Sequence, residues 1–197
     1  KYVSGLTIEC AYNPVEESAK RFEKREKIKC YTGDYEEFLE NVDAVYIASP
    51  NETHFEYAKK AIEAGKHVLS EKPLSFTKKE SEVLYTSAKE KGVVLMEAVK
   101  AAYCPGFQQL INVAKSGKIG DIVDVEASFT RLADPLSRER TDAEYGGAFL
   151  EFGPSVLVPV IKLMGKDYTS VTFDSIYDGN GVDLYTKADI RYDNGFA

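Results

Sequence analysis

The stretch "DAVYIASPNETHFEYAKKAIEAGKHVLSEKPLS", residues 43–75, decides how this chain folds. Its first part, within "VDAVYIAS" (42–49), is apolar on both faces, as a strand buried inside a parallel sheet must be. "ETHFEYAKKAIEA" (52–64) then reads as a helix that stops at Gly65, a natural C′ residue. "KHVLS" (66–70) is a second strand, and it runs directly into an acid, a base and a proline: Glu71, Lys72 and Pro73. Strand, helix and strand in succession predict a parallel unit.

The same rhythm extends in both directions. Upstream, "GLTIECAY" (5–12) and "KIKCYT" (27–32) read as strands, with the helix "PVEESAKRFEKRE" (14–26) between them. "DYEEFLEN" (34–41) makes a short acidic helix with Asp34 as its N-cap. Downstream, "TKKESEVLYTSAKEK" (77–91) is a helix opened by a Thr77…Glu80 capping box and closed by Gly92. "VVLMEA" (93–98) is a strand, and "PGFQQLINVAKS" (105–116) is a helix with Pro105 near its start and Gly117 at its end. The expectation is a Rossmann-like, doubly wound α/β domain over residues 1–120.

After Gly120 the rhythm changes. "DIVDVEASFTR" (121–131) alternates like a longer strand, and residues 132–145 read as a loop. "GGAFLEFGPSVLVPVIKLMG" (146–165) is an apolar helix whose Pro154 and Pro159 predict a late start or a kink. "YTSVTFDSIY" (168–177), the turn "DGNG" and "VDLYTKADIRY" (182–192) form an antiparallel hairpin with one solvated face. "DNGFA" looks like the opening of a further strand. Residues 121–197 therefore read as a second, α+β domain with a mostly antiparallel sheet, incomplete at its C-terminal end. The first domain likewise reads as incomplete at its N-terminal end. Its opening strand and glycine-rich turn, whose amides would hold a pyrophosphate, are not in this sequence. No G-x-G-x-x-G occurs, and the "GNG" at 179–181 sits in a hairpin turn. Either the fold lacks that loop or residues at both ends lie outside this sequence.

Composition narrows the classes of function. A net charge of −7 without a basic cluster argues against nucleic acid or an anionic membrane as partner. Cys10, Cys30 and Cys104 are widely spaced, with no Cys-x-x-Cys or Cys/His pattern. Free thiols in a reducing cytoplasm and no bound metal are expected. "VLVPVI" is too short to span a bilayer, and no secretory leader is recognisable, so a soluble cytoplasmic protein is expected.

Four features fall at strand ends or just beyond, where open α/β sheets bind ligands: "SPNETH" (49–54), "EKP" (71–73), "MEA" (96–98) and "GGAFLEFG" (146–153). In this order and spacing they resemble the glucose–fructose oxidoreductase / inositol dehydrogenase / MocA (GFO/IDH/MocA) family of NAD(P)-dependent dehydrogenases. The resemblance covers nearly the whole chain. It implies that Ser49, Pro50 and Asn51 lie along the cofactor ribose and diphosphate, with His54 opening the next helix beside them. Glu71 and Lys72 would flank the nicotinamide, Pro73 would shape the turn through a cis Lys72–Pro73 bond, and Glu97 would line the cofactor side of the cleft. Asn13 falls where a ribose-reading residue belongs; with no Asp there, NAD and NADP both stay open.

The family follows its Gly-Gly pair with a carboxylate and a histidine or tyrosine, separated by three residues. Here those positions hold Glu151 and Ser155, and Pro154 adjoins them. The arginine common before the proline of the next motif is replaced in "KAAYCPGF" (100–107), where Lys100 lies nearby. Lys72 and Glu151 are thus the catalytic candidates, and Lys72, Lys100, Glu151 and Ser155 the substrate-binding ones.

Each residue also has a plainer reading. "EKP" alone is most often a solvated strand-to-helix turn. His54 alone is a structural residue at a helix start, and His67 a packed strand position. Glu151 on an apolar helix must face a cleft or a cation, because an unpaired buried carboxylate is costly. The resemblance tips the balance toward an NAD(P)-dependent oxidoreductase acting on a sugar, polyol or related secondary alcohol. It implies a homodimer or homotetramer joined through the C-terminal sheet. The rival readings are a catalytically silent ligand-binding or sensor protein of the same fold, and an interaction module without nucleotide.

Overall fold

A computed structural model describes residues 3–26, 28 and 30–197. The chain divides into two compact units, 1–97 and 98–197, with the helix at 105–116 in the second.

The first unit alternates strand and helix as expected: β1 (Cys10–Tyr12), α1 (Glu16–Glu26), β2 (Cys30–Thr32), α2 (Tyr35–Glu40), β3 (Ala44–Ile47), α3 (His54–Glu63), β4 (His67–Ser70), α4 (Lys78–Lys91) and β5 (Leu95–Glu97). The strands are shorter than their apolar runs: residues 6–9 lie outside β1. Of the strand expected over 27–32, residues 27 and 29 lie outside the described residues. All pairings are parallel but fall into two sheets, β1–β2 and β3–β4–β5, instead of one.

Local chemistry sets the element ends. Asp34 accepts from the Glu36 and Glu37 amides, which opens α2. Thr77 and Glu80 form the reciprocal capping box of α4. Gly65, at φ 74°, ends α3 in a left-handed conformation that a side chain would resist. The core gathers Val45, Ile47, Val68 and Leu95 from the β3–β4–β5 sheet with Ala58, Ala61, Ile62, Leu74, Leu84 and Ala88, all buried. Beside it Tyr12, Tyr35, Phe38 and Tyr57 form an aromatic cluster, with Tyr12 and Tyr57 sharing a 3.1 Å hydroxyl hydrogen bond.

Cys10 and Cys30 are not free thiols. Parallel pairing puts them directly opposite each other on β1 and β2, and they form a disulfide; Cys104 is free and exposed. Widely separated sequence positions hid a direct cross-strand register.

The second unit holds α5 (Lys100–Tyr103), α6 (Pro105–Lys115), α7 (Arg138–Thr141), α8 (Ala148–Met164), β6 (Ser170–Tyr177), β7 (Asp183–Tyr192) and β8 (Gly195–Phe196). The short helices α5 and α7 carry no apolar period long enough to read from sequence. The strand expected over 121–131 is corrected to an irregular segment, with one bridge from Asp124 to Phe196. An alternating pattern makes a strand only where a partner offers its backbone groups. The late start expected for α8 is also corrected. The helix begins at Ala148 and runs through both prolines.

β6, β7 and β8 form an antiparallel sheet in that order, with a bulge at Ile176/Tyr177. Thr186, Ala188, Ile190 and Tyr192 turn inward, while Tyr185, Lys187, Asp189 and Arg191 stay exposed. The buried core here is small, built on Val160, Ile190 and Tyr192. An open cleft of about 920 Å³ lies between residues 124–131, β7 and the Phe149, Phe152, Val156 and Val160 face of α8.

Candidate active site

Parallel pairing aligns the carboxyl ends of three strands. Ile47 stands opposite Ser70, and Ser70 opposite Glu97. The segments that follow β3, β4 and β5 therefore leave the sheet along one edge, and they carry Ser49–Pro50–Asn51, Glu71–Lys72–Pro73 and Ala98.

The turn after β4 is held on both sides of Lys72. The Glu71 amide donates to Ile47 O at 2.8 Å, and the Glu71 carboxylate accepts from the Tyr46 hydroxyl at 2.5 Å. Beyond the cis Lys72–Pro73 bond, Pro73 O lies 2.7 Å from His54 Nδ1. The Leu74 amide donates to Glu97 Oε1 at 2.9 Å, and the Leu74 side chain is buried. The hydrogen bond to Glu71 is the first cause that pushes the Tyr46 phenol up to about 12; burial and the carboxylate charge add to it.

Sequence reasoning missed Tyr46. It sits at the alternate, outward-facing position of an apolar strand, and only the β3–β4 register brings it to Glu71. Glu97, at the end of β5, places its Oε1 on the Leu74 backbone amide.

The loop after β3 is tied to itself. The Thr53 hydroxyl lies 2.6 Å from Ser49 Oγ and 2.7 Å from Pro50 O, and residues 51–53 make a single 3-10 turn before α3. Asn13, beyond β1, accepts from the Val15 amide through Oδ1 at 2.8 Å.

In the second unit Glu151 lies in the first turn of α8, and Ser155 one turn further on. Both are half-buried, while Lys100 at the start of α5 is exposed. The cleft beside α8 is lined by Phe149, Phe152, Gly153 and Val156, so Glu151 and Ser155 are not among its lining residues.

The Gly-Gly pair has a structural use in this chain. Asp183 Oδ2 accepts from the Phe149 amide at 2.8 Å and from the Thr186 hydroxyl at 3.0 Å, which satisfies an otherwise unpaired donor at the α8 start. Gly147, at φ 95°, leaves the room this needs: a Cβ there would run into Asp183 Oδ1. That acid lies 36 positions beyond Gly147, so no local pattern announces it.

The sequence pattern of the oxidoreductase family with an NAD-binding Rossmann fold matches residues 2–99, and that of the GFO/IDH/MocA C-terminal domain matches residues 107–197. The chain belongs to the GFO/IDH/MocA family. Among relatives of this family, the dTDP-3,4-didehydro-2,6-dideoxy-alpha-D-glucose 3-reductase of Actinomadura kijaniata is 38% identical over 153 residues, covering 76% of this chain and 46% of the relative. The scyllo-inositol 2-dehydrogenase (NADP(+)) IolU of Bacillus subtilis is 35% identical over 151 residues, covering 71% of this chain and 45% of its own length. The crystal structure of KijD10, a 3-ketoreductase from Actinomadura kijaniata in complex with NADP and TDP-benzene, superposes with a TM-score of 0.84 at 30% identity, over 96% of this chain and 60% of that one. The chain thus spans about half the length of the curated GFO/IDH/MocA relatives it matches.

Among the described residues, no group of three or more His, Cys, Asp or Glu could hold a metal ion, and no helix is long and apolar enough to cross a membrane. The residues present suit a dinucleotide. A lysine, a serine and an asparagine stand at aligned carboxyl ends of a parallel sheet, the position at which such sheets receive nucleotides.

Proposed function

We propose that this chain is part of an NAD(P)-dependent oxidoreductase that moves a hydride between the cofactor and a sugar, polyol or related secondary alcohol. One observation carries the reading: Lys72 sits on a turn whose flanking residues are held by Ile47, Tyr46, His54 and Glu97. A fixed backbone on both sides of one lysine is what a reaction needs when a hydroxyl must meet a cofactor ring in a set geometry. The names of the relatives, a deoxysugar 3-reductase and an inositol dehydrogenase, support the substrate class.

The bound cofactor supplies the hydride acceptor, or the donor in the reverse direction. The chain's own residues do the rest. Lys72 Nζ holds the substrate oxygen and takes the hydroxyl proton as the carbon loses its hydride. Glu71, fixed by Tyr46, orients that amine. Ser49, Pro50 and Asn51 border the cofactor along the end of β3, with His54 opening the next helix beside them; Glu71, Pro73 and Glu97 border it along β4 and β5, and Asn13 lies at its ribose. Glu151, Lys100 and Ser155 contact substrate, with Glu151 the second catalytic group.

The protein works as a homodimer or homotetramer. The exposed face of the β6–β7 sheet, with Ile176 and Tyr185 among polar side chains, forms the contact. Light scattering reads this: the wild-type chain should be dimeric or larger and Ile176→Arg shifted toward monomer, whereas a monomeric wild type refutes the assembly.

The test of function is Lys72→Ala in the full-length enzyme, assayed against polyols and sugars with NAD and with NADP. Loss of general-base help should lower kcat by ~10²–10⁴-fold. An unchanged kcat refutes the role of Lys72. A second reading, a catalytically silent binder of the same fold, is favoured by Ser155 and Pro154, since a serine without an activating partner is no base near neutral pH. Cofactor-dependent thermal protection without turnover of any polyol or sugar would select it.

A further inference from the structure

His54 is 1% exposed, and both of its ring nitrogens face backbone carbonyls: Nδ1 lies 2.7 Å from Pro73 O, and Nε2 lies 2.9 Å from Ser49 O. A carbonyl oxygen only accepts. A ring with one proton can donate to one of these oxygens, and its other nitrogen then meets a second lone pair; a ring with two protons donates to both. His67 provides the opposite case in the same unit, because its Nδ1 accepts from the Val94 amide at 2.9 Å and so carries no proton.

The two carbonyls that His54 reaches belong to two different strand-end segments. Ser49 ends the stretch after β3 and Pro73 shapes the turn after β4, so one buried ring spans the gap between them. The other ties of the turn reach strands of the sheet: Ile47 and Tyr46 on β3, and Glu97 on β5. His54 ties the turn to the loop after β3.

We propose that His54 is a positioning residue whose imidazole, carrying a proton on each nitrogen, clamps the Ser49 carbonyl to the Pro73 carbonyl and thereby fixes the backbone next to Lys72. The ring does not touch substrate in this role. The catalytic value of the clamp rests on the oxidoreductase reading above, while the clamp itself does not.

The test needs neither cofactor nor turnover. Histidine-selective 15N labelling of the full chain gives two rings, since His54 and His67 are the only histidines. His67 should show one protonated and one bare nitrogen, and His54 two protonated ones. A bare nitrogen on His54 overturns the clamp.

A second measurement separates positioning from general stability. In His54→Gln, hydrogen exchange of the Glu71 and Leu74 amides should accelerate about tenfold or more, while core α4 amides keep their wild-type rates, as expected for a local opening. Uniform acceleration across both sets, or none, overturns the positioning role. Should the clamp hold and Lys72→Ala leave kcat unchanged, the reading of function fails while the clamp stands.

Discussion

The two units hold their candidate groups in opposite ways. In the first, Lys72 stands on a turn that buried partners fix through backbone atoms, above a core in which Ala58, Ala61, Ile62 and Leu84 are fully buried. In the second, Glu151 and Ser155 ride on one helix, capped by a distant acid, beside an open cleft and a sheet whose Phe173 and Ile176 are more than half exposed. A turn is positioned by what surrounds it. A helical side chain is positioned by its own backbone and by whatever fixes the helix end.

The largest expected effect comes from removing packing where it is dense. Leu84→Ala should cost about 2–5 kcal/mol by urea denaturation. Leu132→Ala, at a fully exposed position of the second unit, should change stability by less than about 0.5 kcal/mol. Equal costs would break the contrast between the two units.

Next is the α8 start. Gly147→Ala should cost about 1–3 kcal/mol, because φ 95° with ψ 163° is a region only glycine occupies readily and the new methyl group displaces Asp183. Asp183→Ala should cost about 1–2 kcal/mol through the loss of its hydrogen bonds to the Phe149 amide and Thr186. A Gly147→Ala/Asp183→Ala double variant that costs less than the sum would show that the two act on one cap.

The smallest effect is a pH dependence confined to high pH. Tyr12 is pushed up to about 12, first by burial and then by its bond with Tyr57, and Tyr46 to about 12, first by its bond with Glu71. Both lie above the ordinary value of 10.0, so the folded chain keeps protons that the unfolded chain has released. The stability they contribute is complete below pH 10 and is lost as pH rises through about 12. Urea midpoints across that window should fall, and Tyr12→Phe should flatten the fall. A midpoint that rises with pH there would contradict the assigned directions.

Much of the first unit was legible because its signals are local. Thr77 and Glu80 cap a helix three residues apart, Gly65 ends one, and the apolar run 44–47 marks a parallel strand, although only Val45 and Ile47 are buried while Ala44 and Tyr46 stay exposed. The same locality explains the misses. Residues 121–131 alternate correctly yet lack a ladder partner, and Cys10 meets Cys30 only because two parallel strands adopt one register. Tyr46 and Asp183 looked like ordinary strand residues.

The amino-acid order by itself determined the strand–helix alternation of the first unit, the family, and the positions of Lys72, Glu71 and Glu151, since periodicity, capping and motif spacing are carried by near neighbours. Only the tertiary structure decided what holds those residues. The His54 ring on the Pro73 carbonyl, the Tyr46 hydroxyl on Glu71, Glu97 on the Leu74 amide and Asp183 in the space left by Gly147 are contacts across 19 to 36 positions. Such contacts follow from strand register and close packing, which a linear pattern does not encode.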